Sequence, residues 1–452
     1  MQPVSPTSNS LAAALQALAP TGMDGFEGLV ARMLSALTGV SFRLARSGPQ
    51  RGRDLDSDPA SPWFAVVECK RYRGDTKLDQ RQLIAEIHIA TSEDPQIDIW
   101  ILATSRDVDA NVARWLQEMS RERGIDYLIL QCGSASDPGD LDVLCANASA
   151  LVLQHCAPVL LNGPSELDTY LTAVRSGANF SARLQRIRNA LDGGTVGLPT
   201  FRDRLNEKLG QAMRSEDASV GRFERRLDVA GVGEVRDIPR LSVRARLDAF
   251  MNAPSQPASS ALCVVHGEEG NGKSWAVASW VHDRIGRENA PAVFWFSAGA
   301  CTSESPISQL ADHATETLAS GREINFSAKL QRWIEGATTR QQLMVVLDGI
   351  NERQAITFWA RHLVRSIADF RGHVSIIVTC RTQTWMDELA ERLSLRPHLI
   401  EVLPFDDNEF AAALIGLDPA DVERLRRAPW CASRGTWPLP CRSCKSCRLG
   451  RI

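Results

Sequence analysis

No apolar run in this 452-residue chain reaches the ~18–20 residues needed to span a bilayer, so a membrane-embedded protein is not expected. The opening stretch, Met1 to Pro20, lacks the basic segment that begins a secretory signal, so export is not expected either. Nor does charge of one sign dominate. The 51 basic and 54 acidic side chains leave a net charge of -3, and any DNA-binding face must be a local patch. No internal repeat is visible, which argues against a solenoid. A disulfide framework is missing too. Of the 11 cysteines, most are scattered singly, several inside apolar runs such as Ala261-Leu262-Cys263-Val264-Val265. That usage suits reduced core thiols in a cytoplasmic protein.

What remains is an ordinary globular composition, 44% hydrophobic and 23% charged, long enough for two or three domains. Residues 1–21, rich in Ser, Pro and Ala, read as a loose lead-in. Phe26, Leu29, Val30, Met33, Leu34 and Leu37 then recur at helical spacing. A polar, Gly-rich stretch runs from Ser47 to Ser61. Beyond it a strand is expected over 63–70, a helix over 79–91, a strand over 97–103, a helix over 109–123 and a strand over 127–131. Such alternation indicates an α/β domain over 22–135. Residues 136–239 read as a mainly helical connector. After a turn-rich linker at Asn252–Ser260, the β–α alternation returns from Ala261 to about Phe410, within a P-loop NTPase-like α/β domain expected over 240–415.

Two groups of residues carry chemistry. In the first, the stretch Gly48-Pro-Gln-Arg-Gly-Arg-Asp54 precedes Glu68-Cys69-Lys70. Residues two apart on a strand share a face, so Glu68 and Lys70 point together and Cys69 points into the apolar layer. Asp54 could fold back beside them, with Asp56 as its rival. Two carboxylates and a lysine suit metal-dependent phosphodiester hydrolysis. Asp54 and Glu68 would bind Mg²⁺, the metal would lower the pKa of a bound water, and Lys70 would orient that water and stabilise developing charge. Glu27, on the edge of the inward helical stripe, is costly there unless paired or metal-bound. Gln80 and Gln82 could reach the same site or a DNA phosphate. Arg71, Tyr72 and Arg73 suit the DNA backbone.

These features together (Gly25-Phe26-Glu27 on the opening helix, the turn at Gly52–Asp54, and Glu68-Cys69-Lys70-Arg71-Tyr72) resemble the PD-(D/E)xK nucleases, in particular the Mrr-like restriction endonucleases. The resemblance covers roughly 22–135. It implies a restriction-endonuclease-like α/β fold and DNA cleavage with Asp54, Glu68 and Lys70 as the core triad.

The second group is Gly267-Glu-Glu-Gly270-Asn271-Gly272-Lys273-Ser274, a G-x-x-x-x-G-K-S loop between an apolar run and an amphipathic segment. Its glycines let backbone N–H groups wrap the phosphates of ATP, and the helix start adds partial positive charge. Lys273 would contact the β- and γ-phosphates, and Ser274 the Mg²⁺. Leu343-Met-Val-Val-Leu347-Asp348 reads as a buried parallel strand delivering a second Mg²⁺ ligand. Glu352 could orient the attacking water. Arg381 could sense the γ-phosphate or serve only a helix start or salt bridge.

The segments around Asp348-Gly-Ile-Asn-Glu352 and Val378-Thr-Cys-Arg381 are similar to the STAND class of P-loop NTPases, particularly its NACHT-like branch. That resemblance implies slow ATP turnover and homo-oligomerisation on nucleotide exchange. Asn351 before Glu352 departs from some NACHT patterns. A nuclease fused to such a switch resembles prokaryotic antiphage proteins, triggered by an unknown phage-derived ligand. Two other readings stand beside it: a regulatory ATPase whose first domain binds DNA without cutting, and a repair nuclease that moves along DNA. The absence of a second motor core weighs against the last. In the tail, 416–452, Cys431, Cys441, Cys444 and Cys447 could bind zinc, or the segment is a truncated or frame-shifted end.

Overall fold

The computed structural model describes residues 9–45, 53–58, 61, 63–72, 79–133, 137–160, 165–193, 197–214, 226–229, 233–236, 240–253, 261–287, 290–318, 324–337, 342–352, 354–393, 396–404 and 409. Arg73, the turn residues 46–52 and the cysteine-bearing tail lie outside them. The chain forms two compact units. The first comprises 1–201 and 320–336, and the second 202–319 and 337–452.

In the first unit, helices α1 (Asn9–Ala17) and α2 (Phe26–Thr38) precede strands β1 (Phe42–Leu44), β2 (Leu55–Ser57) and β3 (Ala65–Lys70). Then come α3 (Gln80–Glu93), β4 (Ile99–Thr104), α4 (Ala110–Arg123) and β5 (Asp126–Gln131). Helices α5 (Asp140–Asn147), α6 (Ser149–Cys156), α7 (Ser165–Arg175) and α8 (Phe180–Arg188) follow, and α9 (Leu198–Arg214) carries the chain into the second unit.

The sheet order is β1-β2-β3-β4-β5, antiparallel through β3 and parallel from β3 to β5. Strand β4 is buried at all six positions, as expected of a parallel strand covered on both faces. Its residues divide by the two-residue period. Ile99, Ile101 and Ala103 join a core with α1, α2 and α5–α8, while Trp100 and Leu102 join one with α3 and α4. Strand β3 divides likewise, with Val67 on the first side and Val66 on the second. Helix α2 buries Phe26, Leu29, Val30, Met33 and Leu34 and stops at Gly39, whose φ of 73° only glycine adopts without strain.

Two expectations need correction. The supposed lead-in contains α1, whose Leu11, Ala14, Leu15 and Leu18 recur at helical spacing and are all buried. The supposed connector is in large part the lid of the first sheet, because Leu141, Leu144, Tyr170, Leu171 and Ile187 need that apolar face to bury their own.

In the second unit, β6 (Arg226–Val229) and β7 (Gly233–Arg236) form an antiparallel pair ahead of α10 (Leu241–Asn252). The core alternation is β8 (Leu262–Gly267), α11 (Lys273–Ile285), β9 (Ala292–Ser297), α12 (Pro306–Leu318), α13 (Phe326–Glu335), β10 (Leu343–Asp348), α14 (Ile356–Phe370), β11 (Val374–Arg381) and β12 (His398–Glu401). All pairs are parallel, in the order β12-β8-β11-β10-β9. One member is displaced: α13 lies between α12 and β10 in sequence but belongs to the first unit by its packing. No helix among the described residues is long and apolar enough to cross a membrane.

Candidate functional site

Strand β3 ends in Glu68-Cys69-Lys70 on a sheet of buried strands, and its alternation aims Glu68 and Lys70 toward α3. Cys69 packs against the opposite core. The β2 edge brings Asp54 alongside: its N–H donates to Val67 O at 2.9 Å, and its Oδ2 accepts from the Cys69 N–H at 2.7 Å. Asp54 and Glu68 also share a side-chain hydrogen bond. Asp56 lies two residues further on, within β2, with the Arg53 and Arg43 cations and the Asp94 carboxylate as its charged neighbours. Of the two rivals, Asp54 is the one beside Glu68.

Lys70 is held twice. Its Nζ contacts Glu68 Oε1 and lies 2.8 Å from Glu86 Oε1, while Gln82 Nε2 donates to the same Glu86 oxygen at 2.7 Å. Gln82 therefore reaches the cluster through Glu86, whereas Gln80 is exposed at the first turn of α3. Glu27 is buried on α2, with Oε2 accepting from the Gly22 N–H at 3.3 Å. Arg71 is turned toward the Gln16 carbonyl, and the Tyr72 N–H donates to Ser105 Oγ at 3.1 Å. Glu86 was not singled out from the sequence. Its only signal is the i, i+4 spacing from Gln82 on a helix following the strand.

The charge state follows from the crowding. Burial, then the nearby Asp54 charge, pushes Glu68 up to about 8. Burial, then the same charge, raises Glu27 to about 6. Burial likewise raises Asp54 against the pull of the Cys69 N–H. Burial opposes the charge on Lys70, yet Glu68 and Glu86 hold it above its ordinary value. Asp54, Glu68 and Glu86 share one ammonium, and Glu27 adds to the charge around Asp54, so the pocket carries an unmet demand for positive charge. Among the described residues, no three His, Cys, Asp or Glu side chains form a cage for a metal. A two-carboxylate donor set with hard oxygens fits Mg²⁺ nonetheless, since that ion keeps several waters and phosphate ligands.

The second constellation sits at the C-terminal ends of β8, β10 and β11. Gly270 and Gly272 have φ of 84° and 77°, which lets the loop turn its backbone inward. Gly272 opens α11 without any side-chain cap, so the first N–H groups of that helix keep their bonding capacity for an anion. A Cβ on Gly267 would meet Val402 O at 2.5 Å. Asn271 Nδ2 donates to that same carbonyl at 2.9 Å. Lys273 Nζ rests on Glu268 O at 2.8 Å, and burial lowers its pKa.

The Ser274 hydroxyl and Thr379 Oγ1, the latter at 2.6 Å, both bond to Asp348. Thr379 Oγ1 also accepts from the Gly349 N–H at 2.8 Å. The strands thus bring together Lys273, Ser274 and Asp348. Glu352 is exposed beside Gly349. Arg381 pairs with Glu269 of the loop at 2.8 Å, and its N–H donates to Asn351 Oδ1 at 3.2 Å. Two residues escaped sequence reasoning. Thr379 is one, and a hydroxyl inside a β-branched strand gives no signal. The other is Arg240, buried, with Nη1 donating to Asn271 O at 3.3 Å and Nε 3.3 Å from Glu409 Oε2.

Residues 261–415 match the family model of the NACHT domain. No curated protein matches the chain. Among solved structures, the chain is similar to Cdc6p from Pyrobaculum aerophilum at 13% identity and a TM-score of 0.27, over 40% of this chain and 50% of that one. It is similar to domain III of the replication initiation protein DnaA from Thermotoga maritima at 13% identity and 0.25, over 39% and 66%. It is similar also to Drosophila ORC bound to GC-rich DNA and Cdc6, at 10% identity and 0.28, over 49% and 34%. The chain therefore spans half the length of the first of these structures. The second unit thus carries a P-loop NTPase domain of NACHT type, with a parallel sheet and the residues to bind ATP and Mg²⁺.

Proposed function

We propose that the protein is a Mg²⁺-dependent DNA endonuclease governed by its NACHT-type ATP-binding domain. The observation that carries this reading is the convergence of Asp54, Glu68 and Lys70, with Glu86 and Gln82 behind them, at one end of β3. Lys70, kept charged by two carboxylates, is a compact cation suited to charge developing on a phosphate. Gln82 and Glu86 fix its position. Asp54 and Glu68 are the oxygen donors for Mg²⁺, which when bound would supply an acidified water and counter-charge to the scissile phosphate. Glu27 lies in reach of the Asp54 field. Tyr72, at the strand exit, would contact the DNA backbone, and Arg71 would join it only on leaving the Gln16 carbonyl.

In the second unit, Gly267, Gly270, Asn271, Gly272 and Lys273 would cradle the phosphates of ATP, and Ser274 and Asp348 would hold its Mg²⁺. Arg381 is freed to meet the γ-phosphate if it leaves Glu269, and Glu352 would orient water. The Thr379 and Ser274 bonds to Asp348 favour its carboxylate form against burial, as a Mg²⁺ ligand would require. Assembly into a homo-oligomer on ATP binding, in response to a phage-derived trigger, is the output we propose for antiphage defence. A reading in which the first unit binds DNA without cutting draws on the double engagement of Lys70.

A plasmid-nicking assay with Mg²⁺ and ATP decides between them. The wild type should nick, Lys70→Ala should bind ATP without nicking, and Lys273→Ala should lose ATP dependence. Nicking retained by Lys70→Ala would remove the catalytic assignment. Absence of nicking with intact DNA binding would leave the non-cutting reading.

A further inference from the structure

Strands β3, β4 and β5 run parallel, and their register sets Lys70 opposite Thr104 and Thr104 opposite Gln131. The two-residue period puts all three on the face that packs Val66, Trp100, Leu102 and Ile129 toward α3 and α4. Neighbouring strands lie ~4.8 Å apart, so the Gln131 backbone stands roughly 10 Å from that of Lys70, level with it at the carboxyl ends of the strands. Beside Gln131 the first unit holds a cavity of about 570 Å³. Val108, Ala113, Ile129 and Pro138 give it apolar walls. It thus shares one sheet edge and one face with the Asp54–Glu68–Lys70 cluster, two strands away.

The polar lining is held in place by the fold. Gln131 Oε1 accepts from the Val108 N–H at 2.9 Å, and its Nε2 donates to Asp107 Oδ1 at 2.8 Å. Arg183 bonds the Pro138 carbonyl and the Asp137 carboxylate, and Arg186 donates to Asp140 Oδ1 at 2.6 Å. The turn behind them is tight. A Cβ on Gly139 would collide with Gln131 O, and the buried Asp142 carboxylate accepts from the N–H groups of Gly133 and Gly139 at 2.6 and 2.7 Å. Three carboxylates and two guanidiniums therefore line one cavity. A phosphate would bring further negative charge to that excess of acid and gain little. A neutral ring that both donates and accepts fits better. A carboxylate has about four acceptor sites and a guanidinium five N–H donors, more than these ion pairs use. Guanine offers the matching set, with O6 and N7 accepting and N2–H donating, and the apolar walls suit its faces.

We propose that this cavity is a nucleobase subsite: it takes one unpaired base, guanine best, from the DNA strand whose backbone lies at the β3 cluster. This rests on reading that cluster as the DNA-cleaving centre, but its test reads binding rather than cutting. The separation of two strands keeps the held base close to the scissile phosphate. A base enters such a cavity only when it is turned out of the stack, which costs least at a bulge, a mismatch or a single-stranded stretch. The subsite therefore selects disrupted DNA over intact duplex.

Fluorescence anisotropy of labelled duplexes with the full chain gives the readout, in the Lys70→Ala background so that DNA is bound and not cut, and with Mg²⁺ and ATP present to fill the P-loop. One duplex is fully paired, one carries a single unpaired guanosine, and one carries an abasic residue at that position. The unpaired guanosine should be bound about tenfold more tightly than the abasic residue. Ala113→Leu fills the cavity without removing a polar group, and Arg186 is exposed, so neither Ala113→Leu nor Arg186→Ala should disturb folding. Each should erase the preference and leave affinity for the abasic duplex unchanged. Free guanosine should compete the preference away. A wild-type pocket without base preference overturns the subsite, and so does a preference that survives both variants. Arg186→Ala weakening the guanosine and abasic duplexes alike also overturns it, because a cation resting on a phosphate would act in that way. Guanosine that binds without altering duplex affinity assigns the cavity to a free nucleoside and overturns the DNA subsite. Absence of all DNA binding removes the DNA reading and the subsite together. A base preference in a protein that never nicks, with Lys70 intact, would retain the subsite and remove only the endonuclease assignment.

Discussion

Strands β3 and β10 each carry an acid at or near the C-terminal end, and the two acids are kept in opposite ways. Glu68 near the end of β3 is crowded by Asp54 and Glu86, and its compensating cation, Lys70, is already seated. Asp348 at the end of β10 is kept by neutral hydroxyls from Ser274 and Thr379, and the nearby cation, Lys273, rests on a backbone carbonyl. The first pocket carries too much negative charge for its own lysine. The second holds a lysine and uncapped helix N–H groups that await an anion. The difference teaches how each is loaded. On the proposed reading, the β3 site would take up a cation, and the P-loop an anion with its cation.

The largest effect that would break this comparison is at Lys70. Its replacement by Ala should reduce nicking by about 10²–10³-fold while ATP affinity stays unchanged, measured by plasmid nicking beside nucleotide titration. Next comes Asp98→Ala. It leaves the buried Lys329 ammonium uncompensated, and denaturant unfolding should register a loss of about 3–5 kcal/mol. Gly267→Ala should cost about 1–3 kcal/mol and weaken ATP binding, because its Cβ meets Val402 O at 2.5 Å.

A smaller but sharper effect concerns pH. The folded protein holds a proton on Glu68 up to about 8, well above the ordinary range of an exposed carboxylate. Between the unfolded value and that one, the folded state binds more protons than the unfolded state. Metal-free stability should therefore be fullest at acidic pH and fall as pH rises toward 8. Mg²⁺ should reverse the fall and release protons as it binds. Glu68→Gln should flatten the metal-free slope. A slope unchanged in Glu68→Gln would mean that Glu68 does not carry the excess proton. The smallest effect is Asn271→Ala, about 1 kcal/mol, from one lost bond to Val402 O.

The comparison also explains what could be read in advance. The P-loop was legible because its residues are contiguous and each has a fixed geometric task. The strands β3, β4, β8, β10 and β11 were legible from short, mainly apolar runs, and the facing of Glu68 and Lys70 from the two-residue period. Asp54 was reachable only as one of two candidates, because the pairing of β2 with β3 decides between it and Asp56. Glu86, Arg240 and Thr379 act through partners far away in sequence or through a hydroxyl on a core strand, and no local pattern announces either. The placement of α5–α8 failed for a different reason. An amphipathic helix declares that it has an apolar face but not which sheet receives it. Helix α13 was misleading as well, because Lys329 and Arg332 lie on its buried side, where charge is normally absent.

One consequence concerns how such a gene can be recombined. The first unit is discontinuous, closing only when residues 320–336 return to it from within the NTPase sequence. A fragment ending near residue 201 would leave Asp98 and the carbonyls of Pro95, Ile97 and Gly124 without their partners. Exchanging the first unit for another would therefore require two breakpoints rather than one.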